Sequence, residues 1–127
     1  MKEAILAVSI SGHLLVRYTA GEDMRRFVAL TWGKRCLAGK ATMHSLPSKG
    51  LRGRVIVPAT RENQADWDIC IGGATIYNAY MPQFDRIYLS QFDGVHDTIP
   101  LNPIPDDFKV TQRMKCTDHI FMIMDRK

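Results

Sequence analysis

Ile71-Gly72-Gly73-Ala74-Thr75-Ile76-Tyr77 is the stretch that decides how this chain is read. Before it, Trp67-Asp68-Ile69-Cys70-Ile71 reads as a strand. After it, Ile76, Ala79 and Tyr80 mark one face of a short helix, which Pro82 ends. Two adjacent glycines between strand and helix allow another group to approach the backbone closely. The unpaired N–H groups of the first helical turn then suit an anion, such as a cofactor phosphate. Taken alone, the glycines are equally well read as a tight turn that binds nothing.

The rest of the chain sets that turn in a sheet. Ala4 to Ile10 is a nearly continuous apolar run, the pattern of a strand buried on both faces. Leu14, Leu15 and Val16 form a small apolar patch before a loop. Glu22 to Leu30 is helical in pattern, with Met24, Phe27 and Val28 on one face. Strands are predicted at Arg35–Ala38, Arg54–Val57, Trp67–Ile71 and Arg86–Phe92, and a short helix at Thr42–Leu46. The segment from Pro100 to Pro105 reads as an extended connection. Two last strands, around Phe108–Met114 and His119–Met124, read as an antiparallel hairpin. Strands alternate with helices and then run on alone. This predicts an α/β fold with a mixed, mostly parallel sheet, helices on both faces and a C-terminal antiparallel hairpin.

Composition narrows the partners. At 127 residues, with 46% hydrophobic and 24% charged residues, the chain reads as one globular domain. Its net charge of +4 comes from scattered Lys and Arg, which suits a small polyanionic ligand and argues against nucleic acid. No apolar stretch has membrane-spanning length and the N-terminus lacks a secretory pattern, so no membrane partner and a cytoplasmic location are expected. Cys36, Cys70 and Cys116 are far apart and form no metal-spaced pair, and the histidines are equally dispersed. Reduced thiols and no metal site are expected. His13, His44, His96 and His119 read as surface or half-buried residues, and Met122 and Met124 as a sheet face.

Several residues carry chemistry by position. Asp23 precedes Phe27 by four residues, which puts a carboxylate beside an aromatic ring on one helix face. A buried carboxylate needs donors, and a ligand with two adjacent N–H groups, such as an aminopyrimidine edge, suits it. The other reading is a carboxylate that caps the helix from its first turn. Gly39-Lys40-Ala41-Thr42 places a glycine, a cation and a hydroxyl at a strand end, and Thr60-Arg61 repeats the hydroxyl and cation at another. In an open sheet, ligands sit beyond the carboxyl ends of the parallel strands, so these segments and Gly72-Gly73-Ala74-Thr75 together suit several phosphates. Arg54 reads as a partner for a substrate carboxylate or as a surface charge.

In this order along the chain, the motifs resemble dihydrofolate reductase in a shortened form. The likeness runs from the strand Ile5–Ile10 through Asp23-Met24-Arg25-Arg26-Phe27, Gly39-Lys40-Ala41-Thr42, Leu46-Pro47 and Gly53-Arg54. It continues through Ile56-Val57-Pro58-Ala59-Thr60-Arg61, the Gly-Gly segment, Pro82, Asp85-Arg86-Ile87-Tyr88-Leu89-Ser90 and Asp97-Thr98 with Pro100. The resemblance implies NADPH-dependent reduction of 7,8-dihydrofolate, with Asp23 as the catalytic carboxylate and Ser90 hydrogen-bonded to it and to the pterin. It implies a substrate pocket of Ile5, Ala7, Phe27, Leu46, Ile71 and Tyr77, with Arg54 pairing the glutamate α-carboxylate. It implies an NADPH site of Ala7, Leu15, Gly39, Lys40, Ala41, Thr42, Thr60, Arg61, Gly72, Gly73, Ala74, Thr75 and Ile76. Partners are then dihydrofolate and NADPH, and the chain is expected to be a monomer or a homodimer.

The chain also departs from that family's pattern. The segment between Leu15 and Asp23 is short and lacks Pro-Trp, Gly21 stands where proline is usual, and Met43 where tryptophan is common. The connection from Arg61 to Trp67 is too short for the strand and helix found there in the family. Two further readings remain open at this point: a same-fold NADPH reductase of another heterocycle, of the riboflavin-pathway type, and a non-catalytic binding or structural relic.

Overall fold

The computed structural model describes residues 1–15, 21–46, 52–60, 65–94 and 97–127. The strands are β1 (Glu3–Ser9), β2 (Leu14–Leu15), β3 (Arg35–Ala38), β4 (Val55–Pro58), β5 (Ile69–Gly72), β6 (Arg86–Phe92), β7 (Thr98–Ile99), β8 (Phe108–Lys115) and β9 (His119–Arg126). The helices are α1 (Glu22–Thr31), α2 (Lys40–Ser45) and α3 (Ala74–Tyr80), the last followed by a 3-10 turn at Met81–Gln83. The strands form one sheet in the order β4-β3-β5-β1-β6-β9-β8.

The apolar run at the start of the chain becomes β1, the central strand, buried at every position. It lies parallel to both β5 and β6, and β3 lies parallel to β4 and β5. Alternation along β1 sorts the core onto two faces. Ala4, Leu6 and Val8 pack in the cluster that holds Tyr77 of α3, with Phe84 and Ile87. Ile5 packs in the opposite cluster, with Phe27 of α1, Ile69, Ile71, Tyr88 and Phe121. The α/β class, the parallel centre and helices on both faces follow from this arrangement.

The C-terminal hairpin is β8–β9, with β9 antiparallel to β6. Met122 and Met124 lie half-buried against the α3-side cluster, as a sheet face. The sheet is more mixed than the expected mostly parallel one. Leu14 and Leu15 are a strand rather than a loose patch, and they bridge β1 to Thr98–Ile99 in antiparallel pairs.

Ends differ from the sequence reading where turns intervene. Ile10 leaves β1 and is 62% exposed, because a turn closed by Gly12 N–H donating to the Ser9 carbonyl (2.9 Å) reverses the chain. Gly12 has φ 85°, which glycine adopts without strain. Trp67 and Asp68 precede β5, and Trp67 is buried edge-on against Tyr80 and Phe84. Arg54 precedes β4, and α2 starts at Lys40 rather than Thr42.

The amino ends of β3 and β5 are tied by charge. Asp68 accepts from the Arg35 backbone N–H (2.7 Å) and from its guanidinium at 2.8 and 3.1 Å. The hydrogen-bonded guanidinium holds the Asp68 carboxyl down at about 2. A depressed carboxyl stabilises the fold above its unfolded value and loses that contribution as pH falls through the folded one. Asp68→Asn is therefore expected to lower stability at neutral pH by up to ~1 kcal/mol, since the pair is partly solvated. Urea unfolding is expected to show that difference shrinking as pH falls toward 2.

Among the described residues no helix is long and apolar enough to cross a membrane. No group of three or more His, Cys, Asp or Glu side chains there has a metal-binding arrangement. Burial raises the Cys36 thiol to about 11 and the Cys70 thiol to about 12, so both stay protonated at neutral pH.

Candidate functional site

The carboxyl ends of β3 and β5 turn side by side into α2 and α3. The Gly39 N–H donates to the Gly72 carbonyl at 2.7 Å, stitching the two turns together. Position 39 has no room for a side chain: a Cβ there would stand 2.6 Å from Ile76 Cγ1, whereas one on Gly73 would make an ordinary 3.4 Å contact with Thr42 Oγ1. Gly72 has φ 117°, and a Cβ there would meet the Tyr77 ring and hydroxyl at 3.1–3.3 Å. The Gly72–Gly73 peptide is cis.

Above these turns lies a cleft of about 650 Å³, a volume typical of small-molecule sites. Its lining includes Ala7, Leu15, Gly39, Lys40, Ala41, Thr42, Gly72, Gly73, Ala74, Thr75 and Ile76, all expected on the cofactor side. Thr60, two residues beyond β4, is exposed and lies outside the lining, and Arg61 lies outside the described residues. Leu14, Ser45, Ala59 and Ile99 join the lining without having been anticipated. Leu14 and Ile99 are register partners in the β2–β7 pair, so that pair forms part of the cleft wall. Lys40, Thr42, Ser45 and Thr75 set a cation and hydroxyls among apolar walls. That donor set suits an anionic ligand with apolar parts.

Asp23 sits in the first turn of α1 and is buried. The N-cap is Gly21, and Asp23 with Glu22 makes the first turn acidic, as the macrodipole favours, but its carboxylate makes no hydrogen bond to the first-turn N–H groups among the described residues. Instead Ser90 Oγ donates to Asp23 Oδ1 at 2.6 Å. Arg26 Nη1 stands 3.6 Å from the same oxygen. Oδ2 has no polar partner among the described residues, although the side chain is only 8% exposed. An ionised carboxylate accepts several hydrogen bonds, and leaving one oxygen buried without a donor is costly. Ser90 pairs with Ala7 in the β1–β6 register, and Ala7 lines the cleft, so Asp23 and the cleft share one end of the sheet.

Ile5, Phe27 and Ile71 meet in one apolar cluster beneath α1, and Ile71 also lines the cleft. Other expected substrate residues are placed differently. Leu46 is half-buried at the C-terminal end of α2, outside the cleft lining. Tyr77 lines the cleft, but its hydroxyl turns into the core and donates to the Ile5 carbonyl at 2.5 Å. It therefore ties α3 to β1. Tyr77→Phe is expected to cost about 1–2 kcal/mol in urea unfolding through that lost bond. Arg54 leans on the last turn of α1, donating to Thr31 Oγ1 (2.9 Å) and to the Val28 (3.1 Å) and Arg52 (2.6 Å) carbonyls, with its guanidinium over Trp32. Described groups thus take three of its five donors.

His119 departs from the expected half-buried surface residue. Its side chain is fully buried, stacked on Phe92 at 4.7 Å and bonded to Arg26 and Asp118. The sequence signal for Arg26 is its place three residues after Asp23, on the same helix face. No comparable local signal marks His119. Compared with protein-family models and with curated proteins, the chain matches none.

Proposed function

We propose that this chain is an NADPH-dependent dihydrofolate reductase. The observation that carries the reading is the buried Asp23 carboxylate, with one oxygen held by Ser90 and the other unpartnered among the described residues. A pterin edge offers an amino group and a ring N–H side by side, which match a carboxylate as a two-point acceptor.

In this reading the pterin lies against Ile5, Ala7, Phe27 and Ile71, and Asp23 fixes its orientation. Ser90 keeps the carboxylate from rotating. Asp23 need not touch N5; through a water it promotes protonation there, so that one proton and one hydride convert dihydrofolate to tetrahydrofolate. NADPH, when bound, supplies the hydride that C6 accepts. Lys40, Thr42 and Thr75 would hold its phosphates, with Gly39, Gly72 and Gly73 giving the backbone room. The apolar β2–β7 wall would keep water from the reacting carbons.

The test is NADPH oxidation by the purified chain, with dihydrofolate and, separately, with a riboflavin-pathway pyrimidine. Oxidation with dihydrofolate alone is the expected result. Oxidation with the pyrimidine alone would move the assignment to that class of reductase. NADPH binding without oxidation of either substrate would leave a binding protein.

A further inference from the structure

Arg26 is the charged group nearest the Asp23 carboxylate among the described residues, and it is itself braced. Its side chain is 14% exposed and lies over the Phe121 ring at 4.1 Å. Nη1 donates to His119 Nε2 at 2.8 Å, and Nη2 donates to Cys116 Sγ at 3.2 Å. A guanidinium offers donors only, so Nε2 of the imidazole must be the acceptor. The ring proton is then on Nδ1, which lies 2.7 Å from Asp118 Oδ1. His119 is thus a neutral imidazole of one tautomer, and a buried neutral ring holds a nearly buried cation.

The Arg26–Asp23 separation of 3.6 Å is longer than a hydrogen bond. Arg26 therefore acts on the carboxylate through its field and takes up no lone pair that a ligand needs. It approaches Oδ1, the oxygen already bonded to Ser90, and leaves Oδ2 open. The other titratable groups facing this cluster are Glu22 on α1, and Cys116 and Asp118 in the β8–β9 turn. Glu22 is committed to the Thr117 backbone N–H at 3.3 Å.

We propose that Arg26, braced by neutral His119, is a positioning residue that pins the Asp23 carboxylate with Oδ1 toward Ser90 and keeps Oδ2 available to the ligand. This rests on the reading of Asp23 as the pterin-binding carboxylate. It extends the site from a pair of residues to the chain Asp118–His119–Arg26–Asp23–Ser90, drawn from β6, α1, the β8–β9 turn and β9.

The experiment is a double-mutant cycle on the full chain, using Arg26→Leu, Asp23→Asn and both together, with Arg26→Lys as the conservative variant. Dihydrofolate Kd is read by tryptophan fluorescence, and NADPH Kd in parallel. Arg26→Leu is expected to weaken dihydrofolate binding about tenfold, and to add less than about twofold once Asp23 is asparagine. Arg26→Lys is expected to restore part of the loss, and NADPH binding to stay constant. Additive losses, or an equal loss of NADPH binding, would overturn the proposal. Nitrogen NMR of His119 is expected to show the Nδ1-protonated tautomer in the parent chain, and any other form would overturn the bracing. If the parent chain binds no dihydrofolate, the functional reading fails. The same cycle read by urea unfolding then decides the pinning: coupling between Asp23 and Arg26 supports it, and its absence rejects it.

Discussion

Asp23→Asn is expected to lower kcat/KM for dihydrofolate by about 10²–10⁴-fold, while NADPH binding stays within about twofold of the parent chain. An asparagine can still accept from Ser90, whose Oγ lies 2.6 Å from Oδ1 in the parent chain. Where Oδ2 stood, however, it presents an NH₂ group, a donor facing the ligand's own donors. The two-point match is lost together with the charge that favours protonation at N5. NADPH binding is spared because the residues expected to hold its phosphates lie at the β3–α2 and β5–α3 turns. The change in stability is expected to be small, because the relieved cost of the buried carboxylate offsets the lost field between it and Arg26, 3.6 Å away. Steady-state kinetics, NADPH fluorescence titration and urea unfolding separate these effects. A variant that keeps full turnover would return Asp23 to a structural role.

The second large effect is expected from Gly72→Ala. Gly72 has φ 117°, a region that side chains with a Cβ rarely adopt. The added methyl would also sit 3.1 Å from the Tyr77 hydroxyl, which is itself fixed by its bond to the Ile5 carbonyl. Neither the backbone nor the ring can yield without disturbing the β5–α3 turn. Strain and overpacking together are expected to cost about 3 kcal/mol of stability. Because the Gly72 carbonyl also accepts from the Gly39 N–H, the neighbouring β3–α2 turn shifts with it. NADPH affinity is expected to fall on the order of a hundredfold, as a small displacement of positioned groups is costly. Urea unfolding and NADPH titration check the two effects. Unchanged NADPH affinity would remove the paired turns from the cofactor site.

The features that the sequence displayed are those governed by local pattern. A continuous apolar run meant burial on both faces, and β1 is that strand. Adjacent glycines between strand and helix meant close approach, and Gly39, Gly72 and Gly73 meet across the cleft floor. The four-residue spacing of Asp23 and Phe27 put both against the sheet, where both are buried. What was hidden depends on contacts between distant segments. The β2–β7 pair is only two residues long on each side and exists through tertiary register, so no periodicity announces it. The place of Arg26 three residues after Asp23 is visible in the sequence, but its bond to a histidine 93 residues away is not. Tyr77 shows its type but not the direction of its hydroxyl, which goes to β1. Arg54 reads as a free cation, whereas α1 carbonyl and hydroxyl groups already take part of its fork.

In the proposed function, the cleft and the Asp23 carboxylate serve a single hydride transfer to a pterin. Incubating the chain with dihydrofolate and NADPH deuterated at nicotinamide C4, then analysing the folate by mass spectrometry, checks that transfer. Tetrahydrofolate with deuterium at C6, formed in proportion to the NADPH consumed, is the expected product. Dihydrofolate recovered unchanged and unlabelled, from a folded chain that binds NADPH, would contradict it.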